Sequence, residues 1–386
     1  MRYLIVTLLS DKKTNQNVQF IKYIQENKCK ADQTKHWFIS TSAMAKKGVG
    51  KWIRKVCEIP DENLILSIVH SSEIWDIEKT LKERSIANFF DKYDQIFVNI
   101  TGGTNVMAIA VFNFFKTIRN ANIYCIDDDK CRLVFPKKDE ILAENINLQE
   151  ADNISLQEYV EGHGFELTEE WSSDIDTDYT KQFFLKFVNF GEKERKILDE
   201  LRRRGSQHFT SKFSKTKSIG LNEVVYLEKF LDQIEFPRKS VTIDIDECYY
   251  LTGRWFDEYI YIRLKEEGII KGENIKKNVK LKEKGTENQN EYDVIFLHQT
   301  KFYAIEGKSY VSQRDEIFDK AIYKAAALQS NLGILSKFYI FTLTPRESDN
   351  VTDHLMNMAK FLNTNIFWRE DIINCKSISE LLGLKK

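Results

Sequence analysis

Strand-length apolar runs alternate with helix-length stretches through the first third of the chain. The helical stretches, at residues 18–26, 74–90 and 106–119, separate the apolar runs from one another. Near-continuous apolar strands that alternate with helices are typical of a parallel sheet with helices on both faces. The predicted strands are residues 3–9, 37–41, 64–69, 96–100 and 122–126.

This alternation predicts a Rossmann-like α/β domain over residues 1–148. Ligands of such doubly wound sheets bind at the carboxyl ends of the strands. Three polar loops meet at that edge, at residues 10–17, 40–42 and 101–105, and their hydroxyl and amide side chains suit nucleotide edges and riboses. The candidate ligand-binding residues are Ser10, Asp11, Asn17, Ser40, Thr41, Thr101, Gly102, Gly103, Thr104 and Asn105.

The loop at residues 101–105 joins a strand to a helix through Gly102 and Gly103. A glycine pair there exposes backbone N–H groups at a helix N-terminus, which suits a phosphate group. Because the loop lacks the Lys-Ser/Thr pair of a P-loop, we expect phosphates held by amides and hydroxyls rather than an NTP with Mg²⁺. A tight strand-to-helix turn without any ligand is the alternative interpretation.

Composition excludes several classes of protein. The 386 residues are 42% hydrophobic and include 4 Pro and 16 Gly, so the chain can bury a full core and is not collagen-like or Pro-rich. The N-terminal apolar run is too short for a signal peptide or a membrane span, which predicts a cytoplasmic protein with no membrane partner. The six Cys and six His show no paired ligand spacing, so a catalytic metal would depend mainly on carboxylates.

Charge is unevenly distributed along the chain, although the formal net charge is only −1. Residues 150–178 carry ten carboxylates and no Lys or Arg, which predicts a solvated, self-repelling connector. The basic stretch 192–204 then ends in three arginines before Gly205, as is typical of a helix C-terminus. We therefore expect an acidic connector and helical linker region over residues 149–245.

A second α/β domain is expected over residues 246–386. A helix at residues 254–267 precedes a Lys-rich loop at residues 271–284, which is suited to phosphate contacts or only to solubility. The other predicted elements are strands at 291–298, 302–306, 337–343 and 365–368 and helices at 315–329 and 353–362.

Two of these strands form a predicted hairpin that concentrates charged residues at one end. The short turn through Gln299 and Thr300 brings Asp293, at the start of one strand, to Glu306 and Lys308, at the end of the other. Glu306 and Lys308 are two residues apart, so they share one face. Two carboxylates and a lysine suit a hard divalent cation, which would acidify a bound water for attack on a phosphodiester. A structural ion pair in a hairpin is the alternative.

The hairpin resembles the core of the PD-(D/E)xK nuclease superfamily. The resemblance implies a restriction-endonuclease-like α/β domain in which Asp293, Glu306 and the Gly307 carbonyl bind Mn²⁺ or Mg²⁺. It also implies that Lys308 assists the attacking water. Gly307 stands where many relatives carry Cys, a departure expected to be harmless because only its carbonyl would reach the metal.

The resemblance extends to the helix before the hairpin, where family members carry an acidic residue that faces the metal. Asp257 and Glu258 are adjacent in this helix. The resemblance therefore implies a further catalytic carboxylate from Asp257 or Glu258, and the sequence leaves both open.

The N-terminal loops resemble those of the CARF domain, the Rossmann-like sensor of cyclic oligoadenylates in type III CRISPR defence. The Ser10-Asp11 loop and the loop at residues 101–105 match its two ligand motifs. A CARF domain fused to a PD-(D/E)xK domain resembles the stand-alone CRISPR accessory nucleases over nearly the whole chain. The resemblance implies a homodimeric endonuclease that cyclic tetra-adenylate activates to cleave DNA, RNA or both, with single strands as the expected substrate.

Two other classes of protein stay open at this point. One is a non-catalytic, nucleotide-responsive regulator in which the hairpin is inert. The other is a PD-(D/E)xK DNA endonuclease that no second messenger controls.

Overall fold

The computed structural model describes residues 1–70, 72–85, 89–127, 130–133, 146–147, 154–169, 174–210, 218–238, 240–299, 301–309, 321, 323–324, 332, 336–346, 353–361 and 364–384. These residues form two large sheets covered by helices and one small two-stranded ribbon. Within these ranges, no helix has the length and hydropathy needed to cross a membrane.

The N-terminal sheet has seven strands, and the first five in the chain run parallel. They are β1 (Tyr3–Leu8), β2 (Thr34–Thr41), β3 (Leu64–Val69), β4 (Gln95–Asn99), β5 (Ala121–Asp127), β6 (Lys130–Leu133) and β7 (Ile146–Asn147). The spatial order is β3-β2-β1-β4-β5-β6-β7, so β1 lies between β2 and β4. Such a reversal of strand order opens a crevice at the carboxyl ends of the strands. The predicted Rossmann-like domain is confirmed.

Five helices cover the strands of this sheet. They are α1 (Thr14–Asn27), α2 (Ser42–Lys47), α3 (Val49–Val56), α4 (Ile74–Arg84) and α5 (Asn105–Phe115). The sequence did not predict α2 and α3, because each is short and α2 buries no residue. Gly48, with φ +78°, separates the two helices, and glycine reaches this left-handed conformation without a steric penalty.

The prediction of a solvated connector is wrong for residues 156–169. This part of the acidic segment forms α6 (Leu156–Gly162) and β8 (Phe165–Glu169). The Glu158 carboxylate is paired with Lys22 of α1 at 2.5 Å, and Tyr159 is buried. Lysines that are distant in sequence therefore neutralise carboxylates that would otherwise repel one another.

The second sheet has six strands in the order β15-β14-β13-β12-β11-β8. The remaining strands are β11 (Ile275–Glu283), β12 (Gln289–His298), β13 (Lys301–Lys308), β14 (Lys337–Thr342) and β15 (Asn365–Phe367), and the separate ribbon pairs β9 (Ser218–Gly220) with β10 (Thr242–Asp244). The predicted hairpin is β12 and β13, which pair antiparallel. The predicted helix at residues 315–329 lies mostly outside the described residues.

The prediction of a Lys-rich loop is wrong. Residues Ile275–Glu283 form β11, which pairs with β12 on one side and β8 on the other. The strand buries Ile275, Val279 and Leu281 between its lysines. The lysines dominate the composition of this segment, but the spacing of its apolar residues determines the strand.

Helices pack on both faces of the second sheet. They are α7 (Thr177–Phe187), α8 (Glu192–Thr210), α9 (Leu227–Gln233), α10 (Ile245–Tyr249), α11 (Trp255–Glu266), α12 (Asp353–Phe361), α13 (Arg369–Asn374) and α14 (Ile378–Leu381). A π-helical turn, Tyr250–Arg254, separates α10 from α11.

Helix α8 continues to Thr210, so the prediction that it ends at the three arginines is wrong. Arg203 and Arg204 both pair with Glu200, one turn earlier in the same helix, and Gly205 is buried within it. Ion pairs at these spacings support the continuing helix. Arg202 lies 3.4 Å from Asp199 of the same helix and also donates to the Thr252 carbonyl of the π-helical turn at 2.5 Å.

Helix α6 joins the cores of the two sheets. One buried cluster spans a face of the N-terminal sheet, this helix and a face of the second sheet. The Tyr159 ring stacks on Phe302 of β13 with 5.4 Å between ring centroids. Its hydroxyl donates to the Leu332 carbonyl at 2.7 Å. The strand that carries Glu306 therefore packs directly against the joint between the sheets.

Candidate functional site

The hairpin brings together the charged residues that the sequence placed at its end. Val294 is opposite Ile305, and the same register sets Asp293 opposite Glu306. The Asp293 Oδ2 accepts a hydrogen bond from the Gly307 backbone N–H at 2.8 Å. The Lys308 Nζ lies 3.8 Å from the same carboxylate. Strand period and turn position alone were sufficient to predict this grouping.

Glu306 is held by two lysines. Its Oε1 accepts from the Lys308 Nζ at 2.8 Å, and its Oε2 accepts from the Lys324 Nζ at 2.5 Å. Burial alone would raise the pKa of Glu306, but the two ammonium groups outweigh it and hold the pKa below its usual value. Burial acts in the opposite sense on Lys308, and the carboxylates of Asp293 and Glu306 raise its pKa above the usual value. Lys308 is therefore a cation at neutral pH.

Of the two adjacent acidic residues on α11, only Asp257 lies in this group. Its side chain is buried, and its Oδ1 has no hydrogen-bond partner. Burial and the neighbouring carboxylate of Asp293 raise its pKa well above the usual value. Glu258 is also buried, but its carboxylate forms an ion pair with Lys277 of β11.

Burial raises the pKa of Asp293 as well, to about 6, and the Glu306 charge adds to this effect. Asp257 is thus a buried carboxyl group and Asp293 a partly buried one, and the surroundings of each disfavour its ionised form. A group of this kind gains most from a nearby cation.

Gly307 has no space for a side chain. A Cβ at this position would lie 2.1 Å from the Asp257 Oδ1. In this chain the packing thus favours glycine at position 307, and the expectation that Gly in place of Cys leaves metal binding intact stays a prediction. The Asp257 carboxylate occupies the volume that a side chain at residue 307 would fill.

An open cleft of about 390 Å³ lies over this group, and we call it the carboxylate cleft. The acidic group contributes Asp257, Asp293, Gly307 and Lys308 to its lining. Arg202, Tyr249 and Arg254 also line it.

The loop at residues 101–105 is built around its two glycines. A Cβ on Gly102 would lie 1.9 Å from the Leu8 carbonyl oxygen, and Gly103 has φ +71°. The Thr101 hydroxyl accepts from the Ile126 N–H at 2.8 Å, and the Thr104 hydroxyl caps α5 through the Met107 N–H. Both hydroxyls therefore support the fold. The half-buried Gly103 and the exposed Thr104 and Asn105 face the carboxyl edge of the sheet.

Asn17 ties the ends of two strands together inside the domain. Its side chain is fully buried, its Nδ2 donates to the Leu8 carbonyl at 2.9 Å, and its Oδ1 accepts from Asn99 at 3.0 Å. Ser40 is also buried, and its hydroxyl donates to the Thr41 carbonyl. The structure thus gives Asn17 and Ser40 roles in the fold.

Three other candidates lie around the loop after β1. Ser10 and Asp11 are partly exposed, and the Asp11 carboxylate pairs with Lys47 of α2. The Thr41 hydroxyl caps α2 by accepting from the Met44 N–H. Sequence reasoning missed Lys47 because it did not predict α2.

Comparison with protein families matches both halves of the chain. Residues 4–159 match the Card1 CARF domain, and residues 244–378 match the Card1-like endonuclease domain. The chain belongs to the Card1-like CARF nuclease family. No curated protein matches the sequence.

The fold of this Card1-like chain is similar to that of three solved structures. Can2 from Sulfobacillus thermosulfidooxidans, in complex with cyclic tetra-adenylate, has a TM-score of 0.67 and 18% identity over 95% of each chain. Protein VC1899 from Vibrio cholerae has a TM-score of 0.71 and 13% identity over 96% of this chain and 95% of its own. A type III CRISPR defence DNA nuclease activated by cyclic oligoadenylate has a TM-score of 0.52 and 15% identity, over 91% of this chain and 47% of its own. At these identities the likeness shows the fold.

The donor set of the Card1-like endonuclease domain suits a hard cation, although its ligands are not assembled. Among the described residues, no three acidic, His or Cys side chains are grouped as a metal site. The unpartnered Oδ1 of Asp257 and the raised pKa of Asp293 fit Mg²⁺ or Mn²⁺. Glu306 would join them only after one of its two lysines gives way.

Sequence reasoning missed Arg202, Tyr249 and Lys324 as neighbours of this site. Lys324 is a helical residue whose Nζ reaches Glu306 at 2.5 Å and lies 4.9 Å from the centre of the Tyr292 ring. No local pattern marks it, since lysine is common on helices. Arg202 and Tyr249 reach the carboxylate cleft only because α8 and the π-helical turn pack together.

Proposed function

We propose that this Card1-like chain is a metal-dependent endonuclease that cyclic tetra-adenylate activates to cleave DNA, RNA or both, with single strands preferred. One observation carries the nuclease assignment. Asp293 faces Glu306 across the hairpin, Lys308 lies between them, and the unpartnered carboxylate of Asp257 adjoins them. This is the residue set that a PD-(D/E)xK site requires.

In this proposal Asp257, Asp293, Glu306 and the Gly307 carbonyl hold Mn²⁺ or Mg²⁺. The cation supplies an acidified water and neutralises charge on the phosphodiester. Because the carboxylates of Asp293 and Glu306 raise the pKa of Lys308, we assign its ammonium group to orienting the attacking water and stabilising negative charge rather than to accepting a proton. Glu306 exchanges its contact with Lys324 for the metal.

The regulatory half of the proposal depends on the CARF domain. A phosphate of the ring is expected at the N-terminus of α5, where Gly103, Thr104 and Asn105 face the carboxyl edge of the sheet. Ser10 and Asp11 lie across the crevice between β1 and β4. The Can2 structure, which contains cyclic tetra-adenylate, supports this ring size.

We further propose a homodimer in which the ring lies on the two-fold axis and meets these loops from both subunits. Activation is then a population shift, because the ring must bind the cleaving form better than the resting form. The proposed domain division is 1–148 for the sensor, 149–245 for the linking region and 246–386 for the nuclease.

The test is a cleavage assay with plasmid, single-stranded DNA and single-stranded RNA, with and without cyclic tetra-adenylate, in Mn²⁺ or in EDTA. We expect cleavage only with both the ring and Mn²⁺. Lys308→Ala should abolish it, and Lys282→Ala, a matched lysine on β11 that pairs with Glu287, should not.

Three outcomes would contradict parts of the proposal. Equal cleavage without the ring would indicate an endonuclease that no second messenger controls. Ring binding without cleavage under any condition would indicate a regulator. Wild-type cleavage by Lys308→Ala would remove the site assignment.

A further inference from the structure

Two arginines line the carboxylate cleft beside the acidic residues. Arg202 comes from α8, and Arg254 ends the π-helical turn before α11. Neither belongs to the residue set proposed for metal binding or water activation. The two guanidinium groups beside this cleft, which also exposes carboxylates, suit a ligand that carries several negative charges.

The π-helical turn explains how both arginines come to this cleft. Such a turn inserts an extra residue into a helix and is frequent at functional sites. Arg254 precedes Asp257 by three residues, so the two side chains share a helical face. The Arg202 guanidinium donates to the Thr252 carbonyl within the turn at 2.5 Å, which fixes its head group at the cleft.

Charge and stacking are both present in this part of the cleft. Arg254 is close enough to the acidic group for its charge to lower the pKa of Asp257, against the larger effect of burial. Its guanidinium carbon lies 4.9 Å from the centre of the Tyr249 ring, so the two planes form a combined cation and aromatic surface. Tyr249 is partly exposed to the cleft.

We propose that Arg202, Arg254 and Tyr249 form the strand-binding wall of the nuclease, an inference that rests on the proposed function. The two guanidinium groups bind phosphates that flank the scissile one, since Arg matches phosphate oxygens with paired N–H donors. Tyr249 stacks on an unpaired base, a contact that every base offers. The metal-binding carboxylates then hold the scissile phosphate, and this wall holds the strand beside it.

Binding is measured in EDTA, where no cleavage occurs, by the fluorescence anisotropy of a labelled single-stranded oligonucleotide at several salt concentrations. Arg202→Gln and Arg254→Gln should each weaken binding and lower the slope of log K against log salt by about 0.7 per lost phosphate contact. Gln at position 202 keeps a donor for the Thr252 carbonyl, so this variant should fold. Tyr249→Leu should weaken binding, and Tyr249→Phe should not.

Matched controls lie on the same helices. Arg203→Ala, on the exposed side of α8, and Lys265→Ala, at the end of α11, should leave both the affinity and the slope unchanged. In the cleavage assay with Mn²⁺, the wall variants should raise KM more than they lower kcat. The Mn²⁺ affinity of Arg202→Gln and of Tyr249→Leu, measured by calorimetry, should equal that of the wild type.

Two results would overturn the inference. In one, Arg202→Gln and Arg254→Gln bind the oligonucleotide with the slope of the control variants. In the other, Arg254→Gln changes Mn²⁺ affinity and the pH profile but not KM, which would show that Arg254 acts through Asp257. If the wild type cleaves nothing, the proposed function fails, whereas the anisotropy measurement still tests the wall.

Discussion

Replacing Gly307 by Ala should disable the site by moving one carboxylate. The new Cβ would lie 2.1 Å from the Asp257 Oδ1, whereas ordinary contact begins at 3.4 Å. The carboxylate must therefore move by more than 1 Å from its place in the lining of the carboxylate cleft. Overpacking of this kind costs about 1–3 kcal/mol of stability. A displacement of about 1 Å at a reacting group costs about 100-fold in rate.

The experiment measures three quantities for Gly307→Ala. We expect kcat with Mn²⁺ and cyclic tetra-adenylate to fall about 100-fold. Mn²⁺ affinity, measured by calorimetry, should fall with it, and the free energy of unfolding should decrease by about 1–3 kcal/mol. Gly272→Ala is the matched control, because a Cβ there meets nothing within 4 Å. It should leave all three quantities unchanged.

A double variant separates the clash from the chemistry. Adding Asp257→Ala to Gly307→Ala removes the colliding oxygen, so the stability should return while the Mn²⁺ affinity stays low. If Gly307→Ala binds Mn²⁺ and cleaves as well as the wild type, the Asp257 carboxylate does not occupy the position inferred for it beside Gly307.

Three further perturbations test the buried polar groups. Lys277→Ala should reduce stability by about 3–5 kcal/mol in chemical denaturation, because it breaks the ion pair between Lys277 and the buried Glu258 carboxylate. Asp293→Asn should stabilise the metal-free protein at about pH 8 by up to about 3 kcal/mol, measured as a higher melting temperature. The pKa of Asp293 is raised to about 6 in the folded protein, so the stability linked to its protonation is present below the ordinary pKa and is lost as pH rises through about 6. Asn17→Ala should cost about 1–3 kcal/mol, because it leaves the buried Asn99 amide and the Leu8 carbonyl without their partner.

The first two perturbations each have a control and a contrary result, and Ser10→Ala in the ligand loop contrasts with Asn17→Ala. Lys282→Ala breaks an exposed ion pair and should cost at most about 1 kcal/mol of stability. If Lys277→Ala loses no more stability than Lys282→Ala, the burial argument is contradicted. The Asp293→Asn advantage should shrink towards about pH 4 and reverse when Mn²⁺ is added, and an advantage that is constant with pH would exclude the linkage. Ser10→Ala should lower the affinity for cyclic tetra-adenylate without changing stability, and the opposite pattern would make Ser10 structural.

Periodicity along the sequence was sufficient for the strands and for the central part of the site. Five apolar runs separated by helices predict a parallel sheet covered on both faces, and the N-terminal sheet has that form. The two-residue spacing of Glu306 and Lys308, with a short turn back to Asp293, likewise fixes these three on one face. Both depend on steric rules that act within a few residues of the chain.

Charge was a poor guide because it is compensated over long distances in sequence. The acidic stretch after residue 150 was expected to repel itself into solvent, yet Glu158 meets Lys22, and the lysine-rich stretch 275–283 is an inner strand of the second sheet. A carboxylate or an ammonium group is stabilised by whatever lies within a few ångströms, and that neighbour is set by packing.

The choice between Asp257 and Glu258 shows the same division most clearly. The resemblance to the PD-(D/E)xK superfamily implied that an acidic residue on the helix before the hairpin would be available to the site. The sequence did not determine which one, because Asp257 and Glu258 have the same neighbours in sequence and differ only in the direction of their side chains. Packing decided it: Lys277 of β11 pairs with Glu258, and the absence of a side chain at Gly307 leaves room for Asp257. A charged group takes its role from the volume and the counter-charge around it, and both exist only after the chain has folded.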